Sequence, residues 1–161
     1  MPNPRESLFQ SQVRWTGSYV SGQTGARSYT RDMLVEPTGK PPIPGSAGVR
    51  FLGDEARYNP EDLMLASLAE CHLLTYLALA TKAGIRFEAL TIQVTGVLGT
   101  SFGKTRFVSA TLTPITRLAA GSDRTLAEDL HREAHEQCFM SNSVNFPIEI
   151  TLPERHETAS G

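Results

Sequence analysis

The stretch ARYNPEDLMLASLAECHLLTYLALATKAG, residues 56–84, constrains the chain more than any other. Asn59 is an N-cap type, Pro60 suits a first helical position, and Glu61 and Asp62 complement the positive end of a helix. Gly84 supplies the stop. Between these signals Leu63, Leu65, Ala66, Leu68, Ala69, Leu73, Leu74, Leu77, Ala78 and Ala80 cover most of a helix circumference. A helix that is apolar nearly all round must be packed on several sides, so the rest of the fold is expected to be built around it.

The flanking segments carry a different period. QVRWTGSYVSG places Val13, Trp15 and Tyr19 on one strand face, and GARSYTRDMLVEP reads as a second strand, with Gly22 and Gly25 marking a hairpin turn between them. Trp15 and the tyrosines read as packing residues. Residues 37–48, PTGKPPIPGSAG, read as a loop without periodicity, either a lid or a connection. After the helix, LTIQVTGVLG and RFVSATLTPITRL alternate as paired antiparallel strands joined through TSFGKT. SDRTLAEDLHREAHEQC is a second helix, with Thr125 and Glu128 as a capping box and Leu126, Leu130, Ala134 and Cys138 along its buried stripe. FPIEITL closes as a strand with Ile148, Ile150 and Leu152 on one face. Residues 1–10 and 153–161 are polar tails. This order of elements predicts an α+β layer fold in a single domain spanning 1–161.

With 161 residues, 40% of them apolar, and a formal charge of −2, the chain has the composition of a globular domain. That charge and a pI near 6.1 point away from nucleic acid and from anionic membrane surfaces. No basic segment followed by an apolar one opens the chain, so a cytoplasmic protein is expected. Glu70, His72 and Lys82 within the apolar helix argue for a buried helix over a membrane span. In that setting two cysteines read as reduced thiols.

Those cysteines are Cys71, inside the apolar helix, and Cys138, at the end of the second helix. Cys71 is either a small core residue or a reactive thiol. Three turns from the helix start it gains little from the dipole, so reactivity would require a nearby cation, most economically an arginine. Glu61 is either a first-turn acid or the carboxylate holding that arginine. On one straight helix it lies about 80° around and roughly 15 Å along from Cys71, so the two cannot touch. Cys138 is either a core residue or the partner thiol of peroxide chemistry, in which a sulfenic acid condenses with a second thiol. His131, His135 and Cys138 have helical metal-ligand spacing, but the histidines fall off the apolar stripe on a face that reads as solvated, and no metal is expected.

NPEDLMLASLAECHLLTYLALATKAGI together with LHREAHEQCFMSNSVNFPIEI resembles the OsmC/Ohr family of thiol-dependent peroxidases, the osmotically inducible and organic hydroperoxide resistance proteins. The shared pattern is an Asn-Pro-Glu-x-Leu helix start with a cysteine ten residues after the glutamate, and a second cysteine at a later helix end before a polar turn and final strand. The resemblance covers most of the chain. It implies antiparallel sheets packed around a long central helix in an intertwined homodimer. It also implies that Cys71 attacks the peroxide, that Cys138 resolves the sulfenic acid as a Cys71–Cys138 disulfide, and that Glu61 orients an arginine over the thiolate. Arg50 in GVRFLGDEARYNPED is the first choice for that arginine, Arg31 in SYTRDM the alternative, and Arg27 a third. Phe139 stands where the family often has proline. The implied substrates are organic hydroperoxides, with hydrogen peroxide second. No cofactor is implied beyond an external dithiol reductant, a lipoyl group on a protein or a small thiol. The alternative within the family is a redox-sensing or ligand-binding thiol protein with little peroxidase activity.

Overall fold

The computed structural model describes residues 6–152; residues 1–5 and 153–161, most of the expected polar tails, lie outside the described residues. It is an α+β structure with two three-stranded sheets, and it divides into two compact units, residues 1–63 and 64–161.

In the first unit β1 (Ser11–Trp15) pairs antiparallel with β2 (Met33–Pro37), which pairs antiparallel with β3 (Ile43–Gly45). The expected hairpin between the first two strands is present: beyond Trp15 its ladder continues with Thr16 N–H donating to the Asp32 carbonyl, Thr30 N–H to the Ser18 carbonyl and Val20 N–H to the Ser28 carbonyl. Tyr19 and Tyr29 bridge within this stem, Gly22 and Gly25 take left-handed φ values of 73° and 62° in the turn, and a short 3-10 turn occupies Gly25–Arg27. Trp15 shapes the connection by donating its indole N–H to the Thr30 carbonyl at 2.8 Å. The 37–48 segment is not wholly a loop, because Ile43–Gly45 forms β3; its alternate residues satisfy β2 although the prolines mask the period.

From Ser46 to Asp54 the backbone is pinned. Asp54 N–H donates to the buried Ser46 Oγ at 3.0 Å, Gly53 N–H donates to the Gly48 carbonyl at 3.2 Å, and Leu52 takes a left-handed φ of 63°. A Cβ at Gly53 would sit inside the backbone of Ala47, so only glycine fits. Gly53→Ala is expected to cost about 3 kcal/mol or more, since backbone rather than a side chain must yield. Chemical denaturation checks this, and a variant as stable as the parent would show that the close approach is wrong.

The long helix α1 runs Pro60–Lys82. Asn59 caps it as expected: its Oδ1 accepts from Asp62 N–H at 2.8 Å, while Asp62 Oδ2 accepts from Asn59 N–H at 3.2 Å. Gly84, at φ 78°, ends it. Ile85 N–H reaches back to the Ala80 carbonyl and Gly84 N–H to that of Thr81, the paired bonds of a left-handed helix stop. Although α1 is long and apolar enough to cross a membrane, a soluble core helix has the same composition.

In the second unit α1 buries Leu68, Cys71, His72, Tyr76 and Ala80. Its opposite side stays open, with Leu74 58% exposed. β4 (Phe87–Ser101) and β5 (Lys104–Leu118) form the expected antiparallel hairpin. Two left-handed residues, Phe102 (φ 51°) and Gly103 (φ 71°), make its turn. β6 (Ile148–Ile150) lies parallel to β5, so this sheet is mixed where purely antiparallel strands were expected. Its alternation holds, with Ile148, Ile150 and Leu152 half-buried.

Helix α2 (Arg124–Gln137) is capped by Asp123, whose side chain accepts from Leu126 N–H at 3.0 Å, rather than by the Thr125–Glu128 box. Moving the start back changes the buried stripe. Ala127, Leu130, His131 and Ala134 are buried, while Leu126 is 38% exposed. Tyr76, Ala80, Ile85, Ala127, Leu130 and Ala134 form the core cluster of this unit, with Leu79, Phe87, Leu90 and Leu118 against it.

Candidate functional site

Helix geometry brings the two thiols of the second unit together. Cys71 follows Leu68 by one turn on the buried side of α1. Cys138 is the residue at which α2 stops, with ψ at 106° leaving the helical range. Both are free and buried, Cys138 completely. The Cys138 thiol lies within hydrogen-bonding reach of Cys71, so two cysteines 67 positions apart (138 − 71) share one pocket of the core.

The turn after α2 is held by its own hydrogen bonds. Asn142 N–H donates to the Cys138 carbonyl at 3.0 Å, Asn142 Nδ2 to the Glu136 carbonyl at 3.0 Å, and Ser143 Oγ to the Phe139 carbonyl at 2.7 Å. Burial pushes the Cys71 thiol up and the adjacent Cys138 thiol adds to that, while the Met140 N–H and the Thr75 hydroxyl pull the other way.

The same two helices carry a buried histidine pair that the sequence did not reveal. His72 Nε2 and His131 Nδ1 are 3.1 Å apart, and the His131 ring stacks on Tyr76 at 3.6 Å between centroids. Tyr76 in turn donates its hydroxyl to the Ala127 carbonyl at 2.9 Å. His131 is 2% exposed, which overturns its assignment to a solvated face. Burial holds His72 down at about 4 and His131 at about 3, with a neighbouring histidine adding to each. Both rings are therefore neutral at ordinary pH. Among the described residues no group of three or more His, Cys, Asp or Glu side chains could hold a metal ion.

The remaining candidates all belong to the first unit. Arg50 lies over the Phe51 ring at 5.8 Å and makes no hydrogen bond among the described residues. Arg31 lies over Tyr29 at 4.5 Å and donates to the carbonyls of Tyr29 at 3.3 Å and Ala26 at 2.7 Å. Arg27 and Arg31 line an open cavity of about 500 Å³ together with Asp32, Ser46, Leu52 and Asp54. Arg57, which the sequence did not single out, is the arginine that binds carboxylates there, at 3.3 Å from Asp32 and 3.5 Å from Asp54. Glu61 is in the first turn of α1, its carboxylate 4.0 Å from where a Gly48 Cβ would stand. Cys71 and Cys138 are thus brought together, whereas Glu61, Arg50 and Arg31 have neighbours within their own unit.

Comparison with known proteins places this arrangement in a lineage. The chain is 30% identical to an OsmC-like protein of unknown function from Vibrio cholerae, with a TM-score of 0.82 over 92% of this chain and 100% of that one. It shares the fold of the organic hydroperoxide resistance protein OhrB of Bacillus subtilis, at 21% identity and a TM-score of 0.62 over 91% of this chain and 98% of that one. It is also 25% identical to the uncharacterized protein YmaD of Bacillus subtilis over 97 residues, 58% of this chain, and spans 65% of that relative's length. The family description OsmC-like protein matches residues 53–153, which carry the α1 start, both cysteines and the intervening hairpin, and the chain belongs to the OsmC-like protein family.

Proposed function

We propose that the protein is a thiol-dependent peroxidase for organic hydroperoxides. The observation that supports it most directly is the pair of buried free thiols, Cys71 and Cys138, with Cys138 the side chain whose hydrogen bonding acts on the Cys71 thiol. In the first step the Cys71 thiolate attacks one peroxide oxygen and the O–O bond breaks. The electron pair leaves on the alkoxide, which takes a proton and departs as the alcohol. Cys71 is then a sulfenic acid. The Cys138 thiol displaces its hydroxyl as water, forming the Cys71–Cys138 disulfide. An external dithiol, a lipoyl group or a small thiol, returns both cysteines to thiols and is itself oxidised to a disulfide.

In the same proposal Glu61 orients an arginine, Arg50 or alternatively Arg31, to stabilise the thiolate and the departing alkoxide, a role worth about 3 kcal/mol for one well-placed donor. The protein acts as a homodimer. Leu74 on α1, and Val13 and Trp15 on β1, are large exposed apolar residues that a second copy would cover.

A second reading, a redox-sensing thiol protein with little peroxidase activity, draws on the raised titration of Cys71, which leaves it mostly protonated at neutral pH. Stopped-flow mixing of the reduced protein with cumene hydroperoxide separates the two. The peroxidase is expected to consume peroxide faster than free cysteine at the same pH and to end with one intramolecular disulfide. A rate no greater than that of free cysteine would reject it in favour of the second reading.

A further inference from the structure

Positive charge is in surplus around the open cavity of the first unit. The two carboxylates that line it are already engaged. Arg57 lies 3.3 Å from Asp32 and 3.5 Å from Asp54, and Asp54 Oδ1 also accepts from Ala56 N–H at 2.9 Å. The two guanidinium groups that line it have no such counter-charge. Arg27, the last residue of the 3-10 turn, makes no hydrogen bond or ion pair among the described residues. Arg31 donates to the carbonyls of Tyr29 and Ala26 and lies over the Tyr29 ring, contacts that orient it and leave its charge uncancelled. A guanidinium carries five N–H donors, so Arg27 keeps all of its own and Arg31 more than half. The chain as a whole has a formal charge of −2, which makes this surplus a local feature.

We propose that this cavity binds a phosphorylated small molecule, whose phosphate is held by Arg27 and Arg31. A phosphate monoester carries about −1.5 to −2 charge and three acceptor oxygens, a match for two guanidinium groups. A carboxylate brings one charge and two oxygens, which a single bidentate fork already satisfies. The volume of about 500 Å³ lies within the roughly 300–1,000 Å³ of small-molecule sites and leaves room beyond a bare ion. Val20 and Leu52, which are 40% and 44% exposed, line the same cavity and offer apolar surface to an organic body. Much of the site is ordered before a ligand arrives. Arg31 is fixed by its two carbonyls, and the Leu52–Asp54 wall by the Asp54 N–H bond to Ser46 Oγ and the close approach at Gly53. The site lies wholly in the first unit and goes beyond the peroxidase reading; with Arg31 engaged here, that reading keeps Arg50 as its arginine.

Isothermal titration calorimetry of the full chain tests this, at low ionic strength because salt screens exposed charges. Phenyl phosphate is the probe; inorganic phosphate supplies the charge without the body, and benzoate the body with a carboxylate. Phenyl phosphate is expected to bind once per chain and about tenfold or more tighter than either comparison compound. Arg27→Gln keeps the length of the side chain and removes its charge, and it is expected to weaken phenyl phosphate by about tenfold. Arg27 holds nothing else in place, so this variant should fold, which circular dichroism checks. Arg132→Gln removes an exposed arginine of the second unit and should leave the affinity unchanged. Absence of phenyl phosphate binding at millimolar concentration would overturn the proposal, as would equal losses in Arg27→Gln and Arg132→Gln. Inorganic phosphate binding as tightly as phenyl phosphate would reduce the cavity to an ion site, and benzoate binding as tightly would remove the phosphate from it; either result also overturns the proposal. None of these titrations reads thiol chemistry, so their failure leaves the peroxidase reading in place.

Discussion

Cys71→Ser is expected to reduce hydroperoxide consumption to the rate of buffer, a loss on the order of 10³ or more, as when a nucleophile is removed from an enzyme. Cys138→Ser should divide the reaction instead. Cys71 still attacks, so the first equivalent of cumene hydroperoxide is consumed, but the sulfenic acid finds no internal thiol. It should then be trapped by dimedone in Cys138→Ser and not in the parent, where Cys138 lies within hydrogen-bonding reach and captures it first. Steady turnover on a lipoyl dithiol should fall, and excess peroxide should carry Cys71 on to the sulfinic acid, visible as added oxygen by mass spectrometry. Serine is close to cysteine in size, so neither substitution empties the core and both variants should melt near the parent. The opposite pattern, with Cys71→Ser active and Cys138→Ser inert, would exchange the roles of the two thiols. Equal activity in both would remove the dithiol from the mechanism.

The parts of this fold written locally were legible in the sequence. Asn59, Pro60 and Gly84 bound α1 because cap and stop chemistry depends on residues within one turn, and the β4–β5 alternation runs long enough to leave one register. What escaped was non-local. β3 hid among prolines because only the edge of β2 selects it. β6 looked like any terminal strand, and nothing within three residues states that its partner runs parallel. Of the site, Cys71 and Cys138 were visible from their helices, and their closeness was an implication of family resemblance. His131 was misjudged for a specific reason. Asp129, Arg132 and Glu133 around it are polar, but a helix turns 100° per residue, so a histidine between them can face inward if a buried partner accepts it. That partner, His72, sits 59 residues earlier.

The His72–His131 pair also makes the second unit sensitive to acid. Both rings are buried and neutral, and the one hydrogen between His72 Nε2 and His131 Nδ1 already fills the space between them. A further proton would place a charge against Tyr76, with His135 nearby adding repulsion to His72. The sign follows from proton counting. In the unfolded chain both histidines titrate near 6.5, whereas in the folded chain His72 titrates at about 4 and His131 at about 3. Between those limits the unfolded state binds more protons, so stability is fully present above pH 6.5 and falls as the pH drops. For His72 alone the loss is about 2 kcal/mol by pH 5 and roughly 3 kcal/mol by pH 4. His131 adds less than its own shift implies, because the pair shares one hydrogen bond. With a urea slope of about 2 kcal/mol/M, the unfolding midpoint should fall by about 1 M between pH 7 and pH 5. Most carboxylates titrate below this window, so the decline belongs chiefly to the histidines. A His72→Leu/His131→Leu double variant should flatten the curve in that window, since it replaces the pair with side chains that bind no proton. A parent whose midpoint is level from pH 7 to pH 5, or a double variant with the same slope as the parent, would mean that the two rings are not the buried neutral pair described here.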